Sequence, residues 1–245
     1  MAGKSFFIDT TRCTACRGCQ IACKNWNQNK ASETKNTGNH QNPPDLDANT
    51  FKLVRFSEVE TDGKVAWYFF ADQCRHCLIP PCKDTVEAHI ADAVIQDEAT
   101  GAVVYKEETK KVAAQFEDIR SSCPYDIPRK AVDGRLVKCT MCIDRVSNGL
   151  QPACVKICPT GAMNFGDREA MLELANERLG KLKEKYPKAQ LIDANEVRVI
   201  YLVIDEPRKY HKSAIASAEQ GLSRKVVLRR ALKPAHGLLK GLMSS

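Results

Sequence analysis

Four cysteines stand between Cys13 and Cys23, in the stretch CTACRGCQIAC, at the spacing C-x2-C-x2-C-x3-C. That is the spacing with which a chain wraps a cubane iron-sulfur cluster. A tight loop brings three closely spaced thiolates to three corners of one cube, and the fourth ligates a second cluster, so such a run implies a partner run elsewhere. The partner is Cys139 to Cys158, CTMCIDRVSNGLQPACVKICP. Here Cys139, Cys142 and Cys154 form a three-ligand set widened by an eleven-residue insertion, and Cys158 follows at x3 with Pro159 behind it. The crossed assignment is therefore Cys13, Cys16, Cys19 and Cys158 for cluster one, and Cys139, Cys142, Cys154 and Cys23 for cluster two.

A third group, CRHCLIPPC, holds Cys74, Cys77 and Cys82, while Cys123 stands alone before Pro124. Cys123 has the Cys-Pro ending of a cluster run without the three cysteines that should precede it. At ferredoxin spacing those positions hold Ala113, Phe116 and Ile119, and the position four beyond Cys82 holds Val86. Under the crossed rule all four vacancies belong to one lost site, and Cys74, Cys77, Cys82 and Cys123 make cluster three. Phe116 and Ile119 are then expected to fill the emptied volume. His76 reads as a residue behind the ligands or at the surface, since the thiolate set is complete without it.

With 245 residues the chain is long enough for one or two cored domains, and no apolar run approaches a bilayer span. Twelve cysteines are too few for a disulfide-packed scaffold and too regularly spaced for incidental buried thiols. MAGKSFFIDTTRC carries no apolar leader, which by itself points to the cytoplasm. The net charge of +7 is uneven: residues 208–245 hold nine Lys or Arg and only Glu219 as an acid, leaving the rest near neutrality. Such a run reads as a solvated face, a clasp on an acidic surface, or a nucleic-acid or lipid site.

Along the chain, Lys4 to Asp9 reads as a strand leading into the first cysteine loop, and Lys24 to Thr50 as a long polar loop. Hairpins are expected from strands at 51–57 and 64–72 about Thr61-Asp62-Gly63, at 94–105 about Thr100-Gly101, and at Asp133-Gly134. The aromatic run 67–70 reads as sheet core. Lys138 is either solvated or placed to raise the potential of the cluster at Cys139. Asp167 opens an amphipathic helix with Met171, Leu174, Ala175, Leu179 and Leu182 on one face, ended by Pro187. Residues 197–205 form a strand, and the basic tail beyond 227 has helical spacing. The fold class is α+β: ferredoxin-like modules with short β-hairpins and cluster-binding loops, plus a C-terminal helical tail. The modules are 1–30 with 131–170 (two clusters), 50–130 (one cluster), and 171–245, a helix, strand and tail docking on the body or a partner.

The motifs CTACRGCQIACK, CRHCLIPPC, SSCPYDIPR and KCTMCIDRVSNGLQPACVKICPTGAMNFGD together resemble the iron-sulfur electron-transfer subunits of molybdenum and tungsten oxidoreductases. Most relatives of that type hold four clusters, and this chain departs from them at Val86, Ala113, Phe116 and Ile119. The opening SFFIDTTRCTACRGCQIACK is most similar to the iron-sulfur (beta) subunit of soluble two-subunit formate dehydrogenases. The resemblance implies three [4Fe-4S] clusters here and a catalytic large subunit carrying tungsten or molybdenum on a pyranopterin pair. It also implies a multihaem c-type cytochrome as acceptor, no transmembrane segment, and a periplasmic location reached by co-export with the large subunit.

The chain has no phosphate-cradling Gly-rich loop, nucleophile motif or flavin or nicotinamide fingerprint, so the expectation is an electron relay with no catalytic residues of its own. Two rivals remain at this stage. One is the same relay serving a nitrate, sulfoxide or polysulfide reductase. The other is a zinc-stabilised nucleic-acid-binding module, against which the triplet spacing argues.

Overall fold

The structure, a computed structural model, describes residues 3–36, 38–61 and 63–216. In chain order its elements begin with β1 (Lys4–Asp9), α1 (Gly18–Trp26), β2 (Leu53–Thr61), β3 (Lys64–Asp72), α2 (Pro81–Glu87), β4 (Val94–Gln96) and β5 (Val103–Tyr105). There follow α3 (Phe116–Ser121), β6 (Arg129–Lys130), β7 (Leu136–Val137), α4 (Ile143–Val146) and α5 (Ala153–Lys156). The last are β8 (Met163–Asp167), α6 (Arg168–Lys183), β9 (Gln190–Ile192), β10 (Val199–Val203) and α7 (Pro207–Tyr210).

A four-stranded sheet in the order β8-β1-β10-β9 supports the cysteine loops. Strand β10 is buried along its whole length, as a strand covered on both faces must be. It pairs in parallel with β1, Phe6 opposite Val199 and Ile8 opposite Tyr201, while β8 and β9 flank antiparallel. Side chains alternate between the two faces. Phe6, Ile8, Val199, Tyr201 and Val203 enter the main core, among Cys19 and Cys154. Phe7, Ile200 and Leu202 point the other way and meet Met171, Leu174, Ala175, Leu179 and Leu182 of α6. The sheet thus has α6 on one face and the cysteine loops on the other. Of residues 171–245, expected as a helix, strand and tail docking on the body or a partner, the described part holds most of α6 with β9, β10 and α7, and β10 is built into the sheet beside β1.

The expected hairpins are β2-β3, β4-β5 and β6-β7. The first is longer than the sequence suggests, running on to Thr61, and its turn residue Asp62 lies outside the described residues. Of the aromatic run, Tyr68 and Phe70 are buried in the core and Phe69 packs against it beside the first thiol set, but Trp67 is half exposed and meets Phe69 and His40. Helical spacing beyond 227 falls outside the described residues. Among the described residues no helix is long and apolar enough to cross a membrane.

Helices come in two packed pairs, α1 with α5 and α2 with α3. In each pair a helix that follows a cysteine loop meets one that ends just before a Cys-Pro step, at Cys158 and Cys123 respectively. Beside α2 and α3, where a fourth site would lie, Val86, Phe116 and Ile119 are buried with Val94, Val103, Val112 and Leu136. Ala113 stays at the margin, partly exposed, and its neighbour Val112 packs instead.

Candidate metal centres

Each cysteine loop is held by the same backbone device. The second residue after the loop's first cysteine takes a left-handed conformation: Ala15 (φ 54°), His76 (φ 46°) and Met141 (φ 63°). L-residues rarely adopt it, and it lets the amide turn back toward the preceding sulfur. His76 and Met141 donate their N–H groups to the Sγ atoms of Cys74 and Cys139, both at 3.4 Å. The Ala15 amide bonds Cys13 in the same way. Behind the Cys-Pro steps the left-handed residue falls one place later, at Asp126 (φ 53°) and Gly161 (φ 62°).

These loops gather all twelve thiols around three cavities. The first is lined by Cys13, Cys16, Cys19 and Cys158, the second by Cys23, Cys139, Cys142 and Cys154, and the third by Cys74, Cys77, Cys82 and Cys123. Cys23 lies on the same helix as Cys19, yet it faces the second set. Burial pushes its thiol well up, and Cys139, Cys154 and Cys142 push it further. Burial likewise raises Cys77, with Cys123, Cys74 and Cys82 adding to it. Cys139 and Cys123 are pushed up to about 12, chiefly by burial. Cys158 differs: burial raises it, but the Met163 amide, the Thr160 hydroxyl and two further amides outweigh this and hold it below the usual thiol range.

The three sets form a row with the second in the middle. Cys154 of the second set shares a core cluster with Cys19 of the first, and Cys139 of the second shares another with Cys74 of the third. The first set is nearest the surface, with Cys16 exposed and Cys13 and Cys158 half-buried. The eleven-residue insertion before Cys154 is clamped to α1 through Trp26, whose Nε1 donates to Asp144 at 2.9 Å while Arg145 lies 4.2 Å over its ring.

Sequence reasoning missed two of the buried cations around this row, Lys52 and Arg75. Lys52 is enclosed, and its ammonium donates to Ala71 O at 3.3 Å and to Gln73 Oε1. Arg75 is fully buried, 4.7 Å from the Tyr201 ring, 5.0 Å from Tyr125 and 5.1 Å from Phe70, and bonds Asp72 at 3.0 Å. Lys138 is not solvated. It is buried and lines the third cavity, its ammonium bonded to Val103 O and Cys139 O and 4.9 Å from the Tyr105 ring. His76 is fully buried, its Nδ1 accepting from the Val103 amide at 3.0 Å.

Four thiolates are a soft donor set suited to zinc or to iron-sulfur clusters. Zinc would draw four sulfurs to about 2.3 Å from one point. Among the described residues no three His, Cys, Asp or Glu side chains converge that way. The thiols instead stand four to a cavity around three cavities, and their triplet spacing is the one that wraps a cubane.

Such a fold and donor set define an iron-sulfur electron-transfer protein. A family model described as a 4Fe-4S dicluster domain matches residues 65–168. Formate dehydrogenase subunit beta of Megalodesulfovibrio gigas is 54% identical over 214 residues, covering 87% of this chain and 99% of that one. Formate dehydrogenase 2 subunit beta (cytochrome c-553) of Nitratidesulfovibrio vulgaris is 51% identical over 86% of this chain and 98% of its own. The formate dehydrogenase-O iron-sulfur subunit of Escherichia coli is 41% identical over 83% and 68%. The chain belongs to the formate dehydrogenase iron-sulfur (beta) subunits, which transfer electrons in that enzyme and do not carry its catalytic site.

Proposed function

We propose that this chain relays single electrons through three [4Fe-4S] clusters between a catalytic molybdenum or tungsten pyranopterin subunit and an external acceptor. The observation that carries this reading is the gathering of twelve cysteines into three four-thiol cavities in a row. In it Cys13, Cys16, Cys19 and Cys158 hold cluster one, Cys23, Cys139, Cys142 and Cys154 hold cluster two, and Cys74, Cys77, Cys82 and Cys123 hold cluster three. Residues 1–30 with 131–170 then form a two-cluster module and 50–130 a one-cluster module.

When bound, each cubane takes up and returns one electron, so the pair released by formate passes singly. The chain's part is to fix the clusters in a row and exclude water, and to bring amides to the sulfurs. The exposed position of Cys16 supports set one as the end where an electron crosses to or from another protein. The chain works as a heterodimer with the catalytic subunit. A multihaem c-type cytochrome is the acceptor in this reading, and the printed name of the Nitratidesulfovibrio relative supports a c-type cytochrome. The location is the periplasm, reached by co-export with the catalytic subunit.

The test is iron, zinc and acid-labile sulfide per chain on anaerobically purified complex, with EPR of the reduced sample. About twelve irons in this chain with matching sulfide are expected. About sixteen would mean that the fourth site is filled after all, and zinc without sulfide would overturn the relay.

A further inference from the structure

Two buried ammonium groups sit in the two gaps of the thiol row. In the first gap, Lys52 donates to Ala71 O and Gln73 Oε1. Ala71 lines the first cavity, while Gln73 and Lys52 itself line the second. In the second gap, Lys138 donates to Val103 O and Cys139 O. Val103 and Lys138 line the third cavity, and Cys139 belongs to the second. Each gap therefore has one lysine anchored between the walls of the two sites it separates.

Neither lysine forms an ion pair with a carboxylate among the described residues, unlike Arg75, whose charge is matched by Asp72. A buried ammonium without a counter-charge is costly, and a fold keeps one where negative charge will be present. A cubane held by four thiolates supplies that charge. Reduction adds one electron and makes the cluster one unit more negative, so a fixed cation nearby favours the reduced form and raises the potential.

We propose that Lys52 and Lys138 set the potentials of the relay, Lys52 acting on the clusters of sets one and two and Lys138 on those of sets two and three. The inference rests on the reading of the three sets as cluster sites. It makes the middle cluster the only one of the three raised by both cations.

The experiment is a redox titration followed by EPR on the anaerobic complex, comparing wild type with Lys52→Met, Lys52→Arg, Lys138→Met and Lys138→Arg. In Lys52→Met two of the three potentials are expected to fall, each by at least about a tenfold change in the oxidised-to-reduced ratio, ~59 mV for one electron. In Lys138→Met two again fall, one of them shared with the first variant. The Arg variants keep potentials near wild type. Unmoved potentials in fully loaded Met variants, or a uniform fall of all three, would overturn the proposal. So would an Arg variant that shifts as far as its Met counterpart, since charge would then not be the agent. If Lys52→Met fails to load iron, the same titration on Lys52→Gln decides. A wild-type complex without iron and sulfide would instead show that the cluster reading itself had failed.

Discussion

Cys19 and Cys23 lie one turn apart on α1, yet Cys19 lines the cavity of Cys13, Cys16 and Cys158 while Cys23 lines that of Cys139, Cys142 and Cys154. The packed helix α5 does the reverse: Cys154 goes to the second set, and Cys158, just past its end, to the first. Two helices thus exchange one thiol each, which holds neighbouring sites close and at fixed separation.

Removing one exchanged thiol should injure the far site, not the near one. Cys158→Ala is expected to damage the cluster at Cys13, Cys16 and Cys19, lowering iron from about twelve toward about eight per chain, and to spare its neighbours at Cys139, Cys142 and Cys154. Cys23→Ala should do the opposite. Iron analysis with EPR reads both, and equal loss of both clusters in a folded chain would count against the exchange.

The α2-α3 pair lacks this exchange, and its residues behave as ordinary core. Ile119 is fully buried, and truncation to Ala should cost about 2–5 kcal/mol in urea unfolding. The iron content of the folded variant should be unchanged. A loss of iron comparable to that in Cys158→Ala would mean that this volume serves a cluster.

Much of the site could be read in the sequence because cluster ligation is local. Three cysteines must reach one point from one loop, so spacing alone separates the groups, and the empty positions at Val86, Phe116 and Ile119 show in the same spacing. The sheet was less legible. Its central pairing joins Phe6 to Val199 across nearly the whole chain, and local pattern shows each strand but not its neighbour. Lys52 and Arg75 were invisible for a related reason: nothing in FKLV or CRHC indicates that the cation will be buried. The His76 imidazole, which the sequence left either behind the ligands or at the surface, is buried and accepts the Val103 amide.

A buried ion network ties the third site to the sheet. Asp72 is fully enclosed and accepts from Arg75 Nη1 at 3.0 Å and from Arg55 at 2.9 and 3.1 Å, while Arg55 and Arg129 both reach Asp45. Desolvation would raise the Asp72 carboxyl, but Arg75 and Arg55 outweigh it and keep the group ionised. Breaking such a network strands buried charge. Asp72→Asn should therefore cost about 3–5 kcal/mol in thermal or urea unfolding of the complex. A loss below about 1 kcal/mol would show that water replaces the carboxylate at little cost.

The same network sets an acid-side limit on stability through His211. Its ring stacks at 6.5 Å on Phe70, and burial drives its pKa from 6.5 down to about 4. Asp72 and Asp45 favour the imidazolium, but Arg55 and Arg75 oppose it, and burial dominates. The unfolded chain binds this proton below about pH 6.5, whereas the folded chain refuses it until about pH 4, so the unfolded state carries more protons in between. Stability is then full above pH 6.5, falls as pH drops toward 4, and levels off below. The loss attributable to this group is on the order of 1–3 kcal/mol. Unfolding temperatures at several pH values between 7.5 and 5 should decline more steeply in wild type than in His211→Gln. Parallel curves would move the acid sensitivity to another group.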